Sequence, residues 1–124
     1  MKKVIASEKA PGAIGPYSQA VEAGGMVFVS GQLPVDAVTG SMAAGVGNQT
    51  RQSLENIRHI LEAAGLTMGD VVKTTVYLSD MAAFAEMNAV YAAFFDGGFP
   101  ARSAFAVREL PKGASVEIEC IAVR

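Results

Sequence analysis

Apolar and polar positions recur along the chain with two different periods, and the period predicts each element. Two runs of apolar and β-branched residues, Met26 to Ser30 and Val71 to Leu78, are typical of strands. From about Asn48 the period changes to three- and four-residue steps, which predicts a first helix that ends at Gly65. The apolar residues on this helix are Leu54, Ile57, Leu61 and Ala64.

A second helix is predicted after the Val71 to Leu78 strand. Asp80 is suited to cap its first turn, and the run Asp96 to Gly98 is suited to end it. The apolar residues expected on one face of this helix are Met81, Phe84, Met87, Tyr91 and Phe94. These side chains are therefore predicted to pack in the core.

Glycine and proline separate the remaining strands. Gly24 and Gly25 predict a two-residue hairpin turn between a strand at Ser18 to Val21 and the strand that starts at Met26. A short first strand is expected at Lys3 to Ala6. Near the end of the chain, Ser103 to Val107 and Val116 to Val123 flank a Leu-Pro-Lys-Gly turn, so we expect two neighbouring antiparallel strands there.

The resulting order of elements, with strands and helices mixed, predicts an α+β fold in which two helices cover one face of a sheet. The Met26 to Val29 run has no polar alternation, so both of its faces should be covered. In the last strand, Val116, Ile118, Cys120 and Ala122 alternate with Glu117, Glu119, Ile121 and Val123, and neither set is simply polar. We therefore expect copies of the chain to cover the face that the helices leave open.

Composition narrows the class of protein. The chain has 124 residues, which predicts one domain over residues 1–124, and its 51% apolar content is that of a globular fold. A net charge of −2 argues against nucleic acid as a partner. One cysteine, no apolar signal segment after Met1 and no apolar run of about 20 residues favour a cytoplasmic protein without a membrane span.

The two strands predicted near the end of the chain each contain a charged residue that is a candidate for function. Arg102 opens a strand directly after Pro100 and Ala101, and Glu119 lies inside a run otherwise suited to burial. A guanidinium can hold a carboxylate through two parallel hydrogen bonds, and a carboxylate can orient or deprotonate water. Arg102 could instead form an ion pair at a rim, and Glu119 could pair with Lys73 or Arg124.

The chain offers few residues for other kinds of catalysis. A single His59 and a single Cys120 cannot supply a closed zinc site, and no second histidine is present for a hydrolytic triad. His59 lies within the first predicted helix and is expected on the surface. Cys120 alternates with Ile118 and Ala122, which predicts a buried core thiol.

Six segments together resemble the reactive-intermediate deaminase (Rid) family, also described as the endoribonuclease L-PSP or translation inhibitor family. The strongest is Pro100 to Ser103, followed by Phe105, Arg108, Leu110 and Val116 to Ile118. The other segments are Ala13 to Ala20, Val29 to Pro34, Gln52 to Asn56, Val72 to Leu78 and Asn88 to Tyr91.

The resemblance implies a fold and an activity. It implies a chorismate-mutase-like β-sheet covered by two helices, in a homotrimer with an inner β-barrel and ligand clefts between subunits. It also implies a cofactor-free, metal-free deaminase that hydrolyses 2-imino acids, such as 2-iminobutanoate and 2-iminopropanoate, to 2-oxo acids and ammonia.

The same resemblance implies roles for particular residues. Arg102 would clamp the substrate carboxylate, and Glu119 would act near the attacking water. The other implied substrate-binding residues are Tyr17, Gly31, Ser30, Phe84, Asn88 and Ala104. Ala104 stands where several members of the family carry cysteine, so only its backbone carbonyl could contribute.

Two further functions stay open at this point. The same arginine could hold a 2-oxo acid or another carboxylate in a binding module without turnover. Family names that refer to ribonucleases or translation inhibition leave an RNA-directed activity as a third possibility, against which the acidic balance and the lack of paired histidines argue.

Overall fold

The protein forms one mixed β-sheet with two helices on one side, as described by a computed structural model that covers all 124 residues. The strands are β1 (Lys3–Ile5), β2 (Ala20–Ala23), β3 (Met26–Gln32), β4 (Val71–Leu78), β5 (Ala101–Ala106) and β6 (Val116–Val123). The helices are α1 (Val46–Ala63) and α2 (Phe84–Ala92), with 3-10 turns at Met68–Asp70, Met81–Ala83 and Pro111–Gly113. The α+β prediction with two helices is confirmed.

The strand order across the sheet is β1-β2-β3-β6-β4-β5. The predicted hairpin is present, because Gly24 and Gly25 both have positive φ and bring Ala23 opposite Met26. Only β4 and β5 run parallel, and α2 connects them. The last strand, β6, therefore lies at the centre of the sheet, between β3 and β4.

The predicted antiparallel neighbours at the end of the chain are wrong. β5 pairs in parallel with β4 at the edge of the sheet and does not pair with β6. After β5 the chain passes β4 and inserts β6 on the other side of it, through a connection that contains the Pro111–Gly113 turn. Nine residues, Val107 to Ser115, are enough to cross one strand, so their turn does not close a hairpin.

Helix α1 supplies much of the core. Leu54, Ile57 and Leu61 are fully buried against the sheet, as the helical period predicts, and the helix starts at Val46, two residues before the expected start. Gly65 ends the helix as predicted: its amide bonds the carbonyl of Glu62 at 2.9 Å. This core therefore follows from the local pattern.

Helix α2 differs from its prediction at both ends. The Asp80 carboxylate accepts a hydrogen bond from the Ala82 amide at 2.9 Å, so it caps the 3-10 turn that precedes α2. Met87 and Tyr91 are buried as expected, but Met81 is exposed because it lies in that turn. Beyond the end of the helix, Phe95 is more deeply buried than Phe94, because the chain no longer follows the helical period there.

The two faces of the sheet have different environments. On the helix face, β6 buries Val116, Ile118, Cys120 and Ala122, and its other residues lie on a face that no element of the chain covers, which we call the open face. Phe28 in β3 lies there with 39% of its surface exposed, so within one chain the predicted double cover of this strand is absent. No helix is both long and apolar enough to cross a membrane.

The burial of Ile118 leads to a test of the core. Ile118 is fully buried at the centre of the sheet, and Val4 on edge strand β1 is 59% exposed. We expect Ile118→Ala to lower the free energy of unfolding by about 2–5 kcal/mol, because it leaves a cavity. The control Val4→Ala should change it by less than about 0.5 kcal/mol in the same urea titration. Equal effects of both variants would contradict this account of the core.

Candidate functional site

Arg102 in β5 is held against α2 by three contacts. Its Nη1 donates a hydrogen bond to Oδ1 of Asn88 at 2.6 Å. Its guanidinium carbon lies 4.8 Å from the ring centroid of Tyr91 and 5.4 Å from that of Phe84. These distances allow cation–π attraction, so the guanidinium is oriented while its other N–H groups stay available to a ligand.

The position of the Tyr91 ring is fixed by a hydrogen bond to the sheet. Its hydroxyl lies 2.6 Å from the hydroxyl of Thr74 in β4, and both residues are buried. Burial raises the pKa of the Tyr91 hydroxyl, although the Thr74 hydrogen bond and the charge of Arg102 act in the opposite direction. The ring under the guanidinium is therefore neutral and rigidly placed.

Arg102, Asn88 and Tyr91 line a small concavity that we call the arginine pocket. It has a volume of about 300 Å³, and its residues are Asn88, Tyr91, Ala92, Phe99, Pro100 and Arg102. Arg102 forms no ion pair with a carboxylate of its own chain, so the alternative of a rim ion pair does not apply within the chain. The pocket combines an apolar wall with one oriented cation, which suits a small organic acid.

A second and larger concavity lies on the other side of the molecule, where loops meet the ends of β3 and β6. We call it the loop cleft; its volume is about 700 Å³. Its residues are Pro11, Gly12, Ile14, Tyr17, Gln19, Ser30, Gly31, Gln32, Leu33, Val35, Pro111, Lys112, Glu117 and Glu119. Four of the predicted site residues, Tyr17, Ser30, Gly31 and Glu119, therefore lie together.

Glu117 is the functional candidate that the sequence reading left out. A Cβ atom at Gly31 would lie 2.0 Å from Oε2 of Glu117, so any larger residue there would displace this carboxyl group from its present position. Burial, followed by the charge of Glu119, raises the pKa of Glu117 above its ordinary value. The alternation of β6 was a usable signal, because it places Glu117 on the same face as Glu119.

Glu119 is tied to a neighbouring strand. The Tyr77 hydroxyl donates a hydrogen bond to its Oε1 at 3.0 Å. Neither of the ion pairs considered for Glu119 is present, since Lys73 forms none and Arg124 pairs with Glu22 at 2.9 Å. Burial, and then the hydrogen bond to Glu119, raise the pKa of Tyr77, so this hydroxyl stays a donor at neutral pH.

The sheet separates Arg102 from Glu119 within one chain. Arg102 is in register with Thr74 and lies on the helix face, as do Phe84, Asn88 and Ala104. Glu119 is in register with Thr75 on the open face. The predicted residues therefore form two groups, one at the arginine pocket and one at the loop cleft.

Buried side-chain amides hold the loops of the cleft. Gln19 accepts a hydrogen bond from the Ser7 amide at 2.7 Å and donates to the carbonyl of Pro11 at 2.7 Å. Asn56 in α1 donates to the carbonyls of Leu33 and Val35 at 3.1 and 3.0 Å. The two loops that carry much of the cleft wall are thus attached to the sheet and to α1.

Ser30 takes part in the same attachment. Its hydroxyl donates to the carbonyl of Ser18 at 2.6 Å, directly after Tyr17. The Ser30 side chain is therefore engaged with the loop that carries Tyr17. Its predicted role in substrate binding stays a prediction.

The two other residues considered for chemistry lie away from both pockets. Nδ1 of His59 is 3.2 Å from a carboxylate oxygen of Glu62 on the outside of α1. Cys120 is buried on the helix face, where burial raises the pKa of its thiol to about 12. The buried thiol agrees with the prediction that Cys120 packs in the core.

Comparison with known proteins assigns a family. The model of the family described as "Endoribonuclease L-PSP" matches residues 7–124 of the chain. A "2-iminobutanoate/2-iminopropanoate deaminase" from Salmonella typhimurium is 57% identical, over 100% of this chain and 99% of the relative. The protein of the same name from Escherichia coli K12 is 54% identical over the same shares. The crystal structure of E. coli TdcF with bound serine has a TM-score of 0.96 and 51% identity, and 98% of each chain is covered.

The role of Gln19 can be tested by hydrogen exchange. In Gln19→Ala the Ser7 amide loses its acceptor, and the Pro11 carbonyl loses its donor, so the loop should open more often. We expect the Ser7 amide to exchange faster by about tenfold or more, which corresponds to about 1–3 kcal/mol of local stability. The amide of Val27 at the centre of the sheet serves as the internal control. A Ser7 amide that stays protected would contradict the proposed attachment.

Proposed function

The chain belongs to the endoribonuclease L-PSP family, and we propose that it is a deaminase of 2-imino acids that works in clefts between subunits. The reaction adds water to the C=N carbon of a 2-imino acid. The resulting carbinolamine then loses its C–N bond and releases ammonia and a 2-oxo acid. The oxygen of the product comes from water, and both protons of that water end on the nitrogen, which leaves as ammonia, so neither electrons nor a redox partner are required.

The oriented guanidinium of Arg102 carries this proposal. A 2-imino acid has a carboxylate directly beside the reacting carbon. Two parallel hydrogen bonds from Arg102 to that carboxylate would fix the position of the carbon, which is what an intrinsically electrophilic imine needs most. Asn88 and the rings of Tyr91 and Phe84 hold the guanidinium in advance, so little conformational entropy is lost on binding.

The attacking water needs a proton acceptor, and the loop cleft offers two carboxyl groups. Glu119 is the candidate from the sequence. Glu117 is the additional candidate, because its carboxyl group lies against Gly31, makes no hydrogen bond within the chain and is partly buried. We assign the water-activating role to this pair, with Tyr17 and the Gly31 backbone as ligand contacts.

Assembly of three copies would bring the two groups of residues together. The open face carries exposed Phe28, Phe105 and Val123, and exposed apolar side chains of this size favour burial against another subunit. Arg102 lies in the edge strand β5, so an interface that also reaches this edge would place the arginine pocket of one subunit near the loop cleft of another. A neighbouring guanidinium would also offset the repulsion between Glu117 and Glu119. We propose the homotrimer with an inner β-barrel on this basis, and a cytoplasmic location stays a prediction.

The first test changes Arg102. In a coupled assay, a pyridoxal-phosphate-dependent dehydratase releases 2-iminobutanoate, and the decay of the imine is followed with and without the protein. We expect Arg102→Ala to lower kcat/KM by about 100-fold or more, because two charge-assisted hydrogen bonds are lost. Arg102→Lys should restore little of the activity, since lysine lacks the planar fork.

The control for this test is Arg51→Ala, which removes an arginine on the outside of α1 and should leave the rate unchanged. A wild-type protein that binds 2-oxobutanoate but does not accelerate decay of the imine would contradict the deaminase and indicate a binding module.

The second test measures the assembly. Light scattering coupled to gel filtration should give three times the 12.9 kDa mass of one chain. Phe105→Glu places a charge on the exposed apolar surface and should shift the protein towards monomer with loss of activity. A wild-type protein that stays monomeric at micromolar concentration would refute the inter-subunit cleft.

A further inference from the structure

Lys112 has an unusual backbone conformation. It is the only residue other than glycine with a positive φ, at 58° with ψ of 21°, and it lies between Pro111 and Gly113. A side chain with a Cβ atom is strained in this region, where glycine or asparagine is usual. Strain of this kind persists only where the surrounding structure enforces it, and it is concentrated at functional sites.

The turn that carries Lys112 is closed by two hydrogen bonds of its own backbone and attached to α1 by a third. The Gly113 amide bonds the Leu110 carbonyl at 3.3 Å, and the Ala114 amide bonds the Pro111 carbonyl at 3.2 Å. Just beyond the turn, the amide of Ser115 donates to Oε1 of Gln49 in α1 at 2.8 Å. The position of Lys112 at the loop cleft is therefore set by the fold.

The loop cleft contains one positive and two negative side chains. Among the residues of the cleft, it is the only cation, and the two anions are Glu117 and Glu119. Lys112 forms no ion pair with any carboxylate of the chain, and its side chain is exposed. Its charge is thus available to a ligand that would otherwise meet two carboxyl groups.

We propose that Lys112 is a specificity-determining residue that attracts the negative charge of an incoming 2-imino acid at the loop cleft. This inference rests on the deaminase function proposed above. Lys112 offsets the repulsion of Glu117 and Glu119 during entry, and Arg102 fixes the carboxylate after entry. The protein should therefore favour anionic imino acids over neutral imines, such as the corresponding imino amides.

Substitutions of Lys112 distinguish the effect of its charge from the effect of its strained backbone. Lys112→Gly removes the ammonium and relieves the strain, so Tm should stay equal or rise. At low ionic strength we expect kcat/KM for 2-iminobutanoate to fall about three- to tenfold, through KM and with kcat retained. The difference from wild type should shrink as salt is added, because screening weakens interactions between exposed charges. Lys112→Arg should keep the wild-type values.

Two further measurements complete the experiment. Lys9→Gln, which removes a cation outside the loop cleft, should not change kcat/KM or its dependence on salt. Lys112→Gly should lower kcat/KM for the neutral imino amide much less than for the acid. A Lys112→Gly protein with raised Tm and unchanged kcat/KM, or one that loses equally on both substrates, would overturn the inference.

Failure of this inference differs from failure of the proposed function. If the wild-type protein does not accelerate decay of any imine, the deaminase proposal fails. The variants are then compared by calorimetry with 2-oxobutanoate as the anionic probe. Weaker binding to Lys112→Gly at low salt supports the role of Lys112, and equal binding overturns it.

Discussion

The alternation of side chains along β6 is the constraint on which the rest of the structure depends. This strand lies between β3 and β4, so each of its residues faces either the helices or the open face. Val116, Ile118, Cys120 and Ala122 are all buried on one side, which fixes the register. The same register fixes Glu117 and Glu119 on the other side, and a slip of one residue would bury both carboxylates. The stability of the core and the position of Glu117 and Glu119 therefore both depend on the register of β6.

The residues proposed for the site lie on two faces of the sheet, with Arg102 on the helix face and Glu117 and Glu119 on the open face. On opposite faces they cannot pair within the chain. Arg102 is instead held by Asn88 and by aromatic rings, which orient it without cancelling its charge. The site would then be complete only where subunits meet, which couples the proposed activity to the proposed assembly.

The loops around the cleft are held by neutral groups. Gln19, Asn56 and Gln49 each bond the backbone of a loop through a side-chain amide. All three are buried, and amides do not titrate, so these attachments do not depend on pH. The carboxyl group of Glu117 and the ammonium of Lys112 are thereby left for ligands and water, while Glu119 accepts a hydrogen bond from Tyr77. The same holds for Lys112. Its turn is held by backbone hydrogen bonds and by the neutral amide of Gln49, and its ammonium makes no ion pair.

The sequence by itself determined the elements whose signals are local. The Gly24-Gly25 hairpin, the core face of α1 and the two faces of β6 follow from turn chemistry and from periods of 3.6 and 2, and these depend only on nearby residues. The resemblance carried by Pro100 to Ser103 also identified the family and made Arg102 a candidate site residue. Local periodicity cannot specify which strand lies beside which, because pairing is decided by contacts between residues far apart in the chain. Only the tertiary structure therefore placed β5 beside β4, separated Arg102 from Glu119, brought Glu117 against Gly31 and held Lys112 at the cleft with a positive φ.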